Sequence, residues 1–449
     1  MQRFQASWDK LTSGSINRQI FGAAITVALL TAIVKAAAVA KELIVAWRFG
    51  TGDALDAFLI AWLIPSFIIA VIAGSFNAAF IPTYIRVREQ EGAAAAQQLF
   101  SGATIWSLGL LTSVMIVAVG TAPLYLPWIA AGFGREKLNL TFCLLCIMAP
   151  VIMLSGIGVI CGAVLNAAHR FVLAALSPVV TPAVSALFLL IDTSWGIFAL
   201  AAGLICGAVL EVALLGAALK RQGISLRPRW SGFDRNLRQV ANQYVPMIAG
   251  AFLMGGTNLV DQSMAAMLSP GSVASLNYGS RVVGLIVGLA ATALSTAVMP
   301  YFSGMVARED WTGIRDTLKR YLRLIFIVTV PLTIAVVLIS KPLVQMLYQR
   351  GSFTSEDADI VAQVQTFYAL QIPFYLAGIL VVRLISSLRD SHILMWVSGA
   401  NLIINVTLNY FFVKRLGVAG IALSTSCVYL FSFLLVLYFV EVRFREINP

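Results

Sequence analysis

The chain has 449 residues, 59% of them hydrophobic and 11% charged, with a mean hydropathy of +0.88. Soluble domains carry about 25% charged residues, so a soluble globule is excluded and a polytopic membrane protein is implied. The formal net charge of +11 is what results when basic residues gather on the cytoplasmic ends of spans and meet anionic lipid. It requires no nucleic acid.

Apolar stretches longer than about 18 residues recur along the whole chain and predict an all-α fold of about 12 transmembrane helices. They lie at 19–47, 54–83, 98–124, 139–167, 171–191, 196–219, 237–267, 272–302, 321–345, 358–388, 391–412 and 417–440. Lys and Arg concentrate in the terminal segments and in the connections after even-numbered spans, which predicts both termini in the cytoplasm of a multi-pass inner-membrane protein. No cleaved signal is expected, because the first apolar stretch is too long. Residues 1–17, with Trp8 and Lys10, read as a short amphipathic surface anchor.

The first span carries Lys35, Lys41 and Glu42. An ionised side chain at bilayer depth costs at least ~2.5–3.5 kcal/mol, so each must face protein or water. On a helical wheel Lys35 and Glu42 share one face, and Lys41 shares another with Arg48. The second span opens with Asp56 and is rich in small residues, Ala70, Ala73 and Gly74 among them. Pro65, Pro150, Pro246 and Pro373 fall within spans and permit kinks. Glu211 lies in the sixth span, Asp261 in the seventh, Arg281 with Gly284 and Gly288 in the eighth, and Arg383 in the tenth. The small residues predict close backbone approach. In the loop before the tenth span, Glu356 and Asp357 read as a helix start. Asn401, Asn405 and Asn409 recur every four residues and form a polar stripe on the eleventh span; Thr425 follows on the twelfth.

Residues 52–82 resemble residues 271–300: a Gly opens each helix, small residues fill one face and Pro closes it. The repetition predicts two six-helix bundles, 1–222 and 223–449, as parallel repeats around a central cavity. Lys35, Lys41 and Arg281 read as contacts to an anionic ligand. For Asp56, Glu211 and Arg383 a structural role is at least as good a reading, Arg383 reaching the cytoplasmic interface by snorkelling. Amide oxygens beside Asp261 suit a hard cation. No nucleotide-binding loop is visible, so an ion gradient, the membrane potential or substrate supply must drive transport. No metal or organic cofactor is expected, and no catalytic set.

Four segments carry a family resemblance: AKELIVAWRFGTGDALDAF and FNAAFIP in the first two spans, PGSVASLNYGSRV at the eighth, and LYQRGSFTSED before the tenth. Together, in this order, they resemble the MurJ/MviN lipid II flippase family of the multidrug/oligosaccharidyl-lipid/polysaccharide exporter superfamily. The resemblance implies a flippase moving an undecaprenyl-pyrophosphate-linked saccharide by alternating access. Its cavity cations fall on Lys35, Lys41 and Arg281, with Glu42 and Asp56 as the accompanying acids. Asp261, Asn401, Asn405 and Thr425 are similar to a Na⁺ site found in part of the family; H⁺ is the other coupling ion expected. The family's basic pair in the second span is replaced by Ile69 and Ala70, and its acid by Ala73. Twelve spans replace the family's fourteen. These departures favour an exopolysaccharide or O-antigen unit over lipid II as cargo. The alternatives are a drug antiporter of the same superfamily, whose cavity should be acidic, and a membrane glycosyltransferase or polymerase. The expected partners are the lipid-linked glycan and membrane lipids, with the protein a monomer.

Overall fold

A computed structural model describes residues 16–168, 171–191, 194–226, 230, 232–388 and 391–447. Trp8 and Lys10 of the expected surface anchor lie outside the described residues. Every regular element described is helical. In chain order they are α1 (Ile16–Phe49), α2 (Asp53–Ile68), a π turn (Ile69–Ala73), α3 (Gly74–Gln90), α4 (Ala93–Gly120), α5 (Ala122–Ile129), α6 (Arg135–Met148), α7 (Pro150–Ala167) and α8 (Phe171–Leu176). A 3₁₀ turn (Ser177–Val179) leads into α9 (Val180–Ile191), α10 (Ile197–Arg221), α11 (Arg235–Ala266), α12 (Ser272–Ala307) and α13 (Trp311–Tyr348). The chain ends with α14 (Ser355–Ala369), α15 (Ile372–Ser387), α16 (Ser391–Leu416) and α17 (Val418–Ile447).

Among the described residues ten helical runs are long and apolar enough to cross a membrane. The helices α1 and α11 coincide with the other two expected spans. Exposed Ile327, Val328 and Leu338 on α13 would be a liability in water and suit a lipid-facing belt.

Proline decides where the spans break. Pro150 and Pro373 stand at the first turns of α7 and α15, where a missing N–H costs nothing, and the preceding helices α6 and α14 end just before them. Pro65 lies inside α2, and the backbone resets four residues later in the π turn. Tyr244 on α11 donates its hydroxyl to the Ile72 carbonyl of that turn at 2.8 Å. The Tyr244 ring packs edge-on against Phe76, with centroids 5.8 Å apart, and against Trp106 at 5.5 Å.

Packing divides the chain into two compact units whose borders differ from the expected repeat boundary at 222/223. Of the described residues, one holds those up to Val45, in 61–124 and in 139–251; the other holds those in 46–60, in 125–138 and from Phe252 on. The borders move because 46–60 bonds to later parts of the chain, as described below, and holds 125–138 through Lys137, while Tyr244 ties the first half of α11 to the π turn.

In the first unit α9 and α10 pack closely, since a Cβ on Gly207 would lie 2.6 Å from the Thr181 Cα and one on Gly203 the same distance from the Ser185 Cα. In the second, Gly279 of α12 admits Val364 of α14 in the same way. The glycines expected to do this are others. Around Gly74, Gly284 and Gly288 nothing lies within 4 Å of an added Cβ. Small size alone did not indicate which face meets a neighbour.

Candidate functional site

In the first unit, α1 presents Lys35 exposed and Lys41 and Glu42 half-buried. The Lys41 Nζ lies 2.9 Å from the Glu42 Oε1. Helical periodicity separates adjacent residues by about 100°, yet long side chains can curl across that gap, so Glu42 pairs with Lys41 rather than acting from the Lys35 face. In the second unit, Arg281 is exposed on α12, about two and a half turns from that helix's N-terminus.

Asp56 has a different occupation from ligand binding. It is 1% exposed, and its two carboxylate oxygens are consumed. The Oδ2 accepts from the Gly271 amide at 2.7 Å and the Lys137 ammonium at 3.0 Å; the Oδ1 accepts from the Ala274 amide at 2.9 Å. Asp56 therefore caps α12, whose own preceding residue, Gly271, offers no side chain. An anion at a helix N-terminus is also favoured by the macrodipole. Lys137 reaches Asp53 as well and stands 4.0 Å over the ring of Phe133.

Around this cap, all within the second unit, parts of three of the four sequence motifs converge. The Ser352 amide donates to the Trp47 carbonyl at 2.8 Å, the Ser352 hydroxyl to the Arg48 carbonyl at 3.0 Å, and the Tyr278 hydroxyl to the Gly50 carbonyl at 3.3 Å. The Thr51 hydroxyl donates to Asp357. Asp357 also closes a reciprocal cap with Thr354 at the start of α14, confirming the helix start expected there. Gly50 and Gly351 both adopt positive φ, +54° and +61°, and a Cβ on either would overlap the facing backbone, at the Ser352 and Trp47 carbonyl oxygens. Tyr278, Tyr348 and Phe353 seal the seam as an aromatic triad with centroids 5.1–5.6 Å apart.

The second polar centre lies where α11, α16 and α17 meet. Asp261, 6% exposed, accepts on Oδ1 from the side-chain amides of Asn405 at 3.0 Å and Asn409 at 2.7 Å, and on Oδ2 from the Thr425 hydroxyl at 3.0 Å. Three neutral donors thus surround one carboxylate. Rotating the two amides by half a turn would present their oxygens instead, making a cage of oxygen ligands that a hard cation prefers. Asn401 stands apart: its amide donates to the Ser432 hydroxyl at 3.0 Å, not to Asp261.

Comparison with known proteins bears on this architecture. The sequence model of a family described as lipid II flippase MurJ matches residues 45–447. The chain belongs to the lipid II flippase MurJ family. A relative from Synechocystis sp., named as a probable lipid II flippase MurJ, is 28% identical, with 97% of this chain and 84% of the relative covered. Another so named, from Vibrio cholerae, is 24% identical over 92% of this chain and 81% of its own. The fold is similar to a solved structure described as lipid II flippase MurJ in an inward closed conformation, with a TM-score of 0.80, 23% identity, and 93% of this chain and 87% of the other covered. It is also similar to an inward-facing MATE-family multidrug transporter, with a TM-score of 0.76 and 14% identity over 92% and 94% of the two chains.

Within the MurJ family pattern, the motifs of the first, second and eighth spans and of the loop before the tenth were visible as sequence. Lys137 and Asn409 were missed as members of the two centres. Lys137 sits in an unremarkable REK segment and nothing local marks it. Asn409 was visible as the third Asn of the stripe, and its place there was the available signal.

Proposed function

We propose that this protein flips an undecaprenyl-pyrophosphate-linked saccharide across the bacterial inner membrane, exposing its binding site alternately to the two sides. The family match over residues 45–447 carries this reading. Lys35, Lys41 and Arg281 are proposed to hold the pyrophosphate, with Glu42 setting the reach of Lys41. Basic side chains in a span are expensive unless an anion or water meets them, and a pyrophosphate supplies two negative groups. The acidic cavity of a drug antiporter is not what these three residues offer, and the MATE likeness is one of fold. The protein acts as a transporter rather than an enzyme, both termini in the cytoplasm and as a monomer. Asp261, Asn405, Asn409 and Thr425 are proposed to couple flipping to a Na⁺ or H⁺ gradient.

Arg281 on α12 tests the reading. Purified Arg281→Ala protein in liposomes should lose flipping of a polyprenyl-pyrophosphate-linked saccharide while eluting and melting like the parent. Glu substitution should be worse, since repulsion is added to lost attraction. Unimpaired flipping by Arg281→Ala would remove the proposed role of these cations. Ile69, Ala70 and Ala73 replace the family's charges in the second span, so competition between lipid II and an exopolysaccharide or O-antigen intermediate should reveal which saccharide is preferred.

A further inference from the structure

Within the second unit a cavity of about 700 Å³ lies among α11, α12, α15, α16 and α17. One end touches Asn405 and Thr425 of the Asp261 cage; the other reaches Arg383 and Ser386, in the last turns of α15. Arg383 had been expected to snorkel to the interface. Its Nε is buried in the cavity wall with no hydrogen-bond partner among the described residues, and so is the Oδ1 of Asn401 in the same wall.

Among the described lining residues Arg383 is the one charged side chain. An arginine inside a membrane span is costly unless water or an anion meets it, and the nearest acid described, Asp261, stands behind Asn405 and Thr425 at the opposite end of the cavity. Ser386, Ser398 and Ser432 place hydroxyls around it, and Ile379, Val397 and Phe433 supply apolar wall. A phosphate group would occupy a small part of this volume, which falls in the range of sites that enclose a whole small ligand. An apolar chain must fill the rest. From the end of α15 at Ser387, Arg383 is four residues inward, about 6 Å by helical rise. A ligand entering at that end would therefore meet the charge first.

We propose that this cavity binds a single-chain amphiphile bearing a phosphate, with Arg383 holding the phosphate and the chain lying along α16 and α17. The site is separate from Lys35, Lys41 and Arg281 and does not depend on their role.

The test uses dodecyl phosphate as probe and the full chain purified in an uncharged detergent, with binding read by native mass spectrometry. The parent should bind the probe saturably. Arg383→Gln should weaken binding roughly tenfold or more, the usual scale for losing a charged hydrogen bond, and Arg383→Lys should weaken it less. Gly378 lines the cavity and has nothing within 4 Å of an added Cβ, so Gly378→Leu fills the space while keeping the charge. It should abolish binding, and it carries the test if Arg383→Gln does not fold. The loss caused by Arg383→Gln should be the same size in an Arg281→Gln background, which removes a cation of the proposed transport site. Unchanged affinity in both Arg383→Gln and Gly378→Leu overturns the proposal. So does competition by inorganic phosphate as strong as by dodecyl phosphate, which would mean a soluble anion, or equal competition by dodecanol, which would mean the charge is idle.

Discussion

Asp261 is a carboxylate enclosed by three neutral donors, and among the described residues that bond it none is cationic. Such a group can stay charged only through its donors or with a bound cation, which is what a coupling site needs. Asp261→Asn keeps the shape and removes the charge. The expected outcome is that the initial flipping rate in liposomes no longer responds to an imposed Na⁺ or H⁺ gradient, whereas the parent responds to one of them. A parent rate indifferent to both gradients would sink the coupling role. The stripe of Asn401, Asn405 and Asn409 was legible from its four-residue spacing, but its division of labour was not. One helical face is about 6 Å long per turn, and which Asn meets Asp261 depends on where α11 crosses α16, a quantity no single helix encodes.

At the scale of elements, helices were legible because apolar runs are long and the breaks fall at prolines. Pro150 and Pro373 end one helix and begin the next, as their ring chemistry requires. The contact faces were harder. Gly284 and Gly288 look like packing glycines and meet nothing, while Gly351, in a loop, lies against the Trp47 carbonyl with positive φ. Gly351→Ala should therefore cost about 1–3 kcal/mol, from the left-handed backbone and the overlap together. Gly284→Ala should stay within about 0.5 kcal/mol of the parent. Thermal unfolding of the two variants in detergent checks the contrast. Equal melting temperatures would mean that the seam yields more easily than its backbone contacts indicate.

For the molecule as a whole, the four motifs that identified the family were legible, and most of them turn out to build one seam in the second unit. Residues 47–56, 271–278 and 348–357 meet there. Their sequence separations run to about three hundred residues, so a single chain read linearly gives no sign that they touch. If transport by alternating access requires this seam to part, fixing it should stop turnover. Thr51 and Asp357 are hydrogen-bonded through their side chains across this seam, so they are the pair to link. A Thr51→Cys, Asp357→Cys double variant should crosslink under mild oxidation, lose flipping in liposomes and recover it on reduction. Normal flipping by fully crosslinked protein would show that the seam is static.

The cap on α12 also bears on biogenesis. Asp56 leaves the ribosome long before the amides of Gly271 and Ala274 that it will bind, 215 and 218 residues later. A nascent span would otherwise hold a bare carboxylate throughout that interval. Lys137 arrives after only 81 residues and can neutralise it in the meantime. On this reasoning Lys137 acts as a chaperoning charge during insertion, and Lys137→Ala should lower the yield of membrane-inserted protein more than it lowers the melting temperature of what survives. Asp56→Asn in the Lys137→Ala background should restore part of that yield, because the early charge is gone. Pulse-labelled insertion assays compare the three chains directly, and equal yields would leave Lys137 with a role in the finished protein alone.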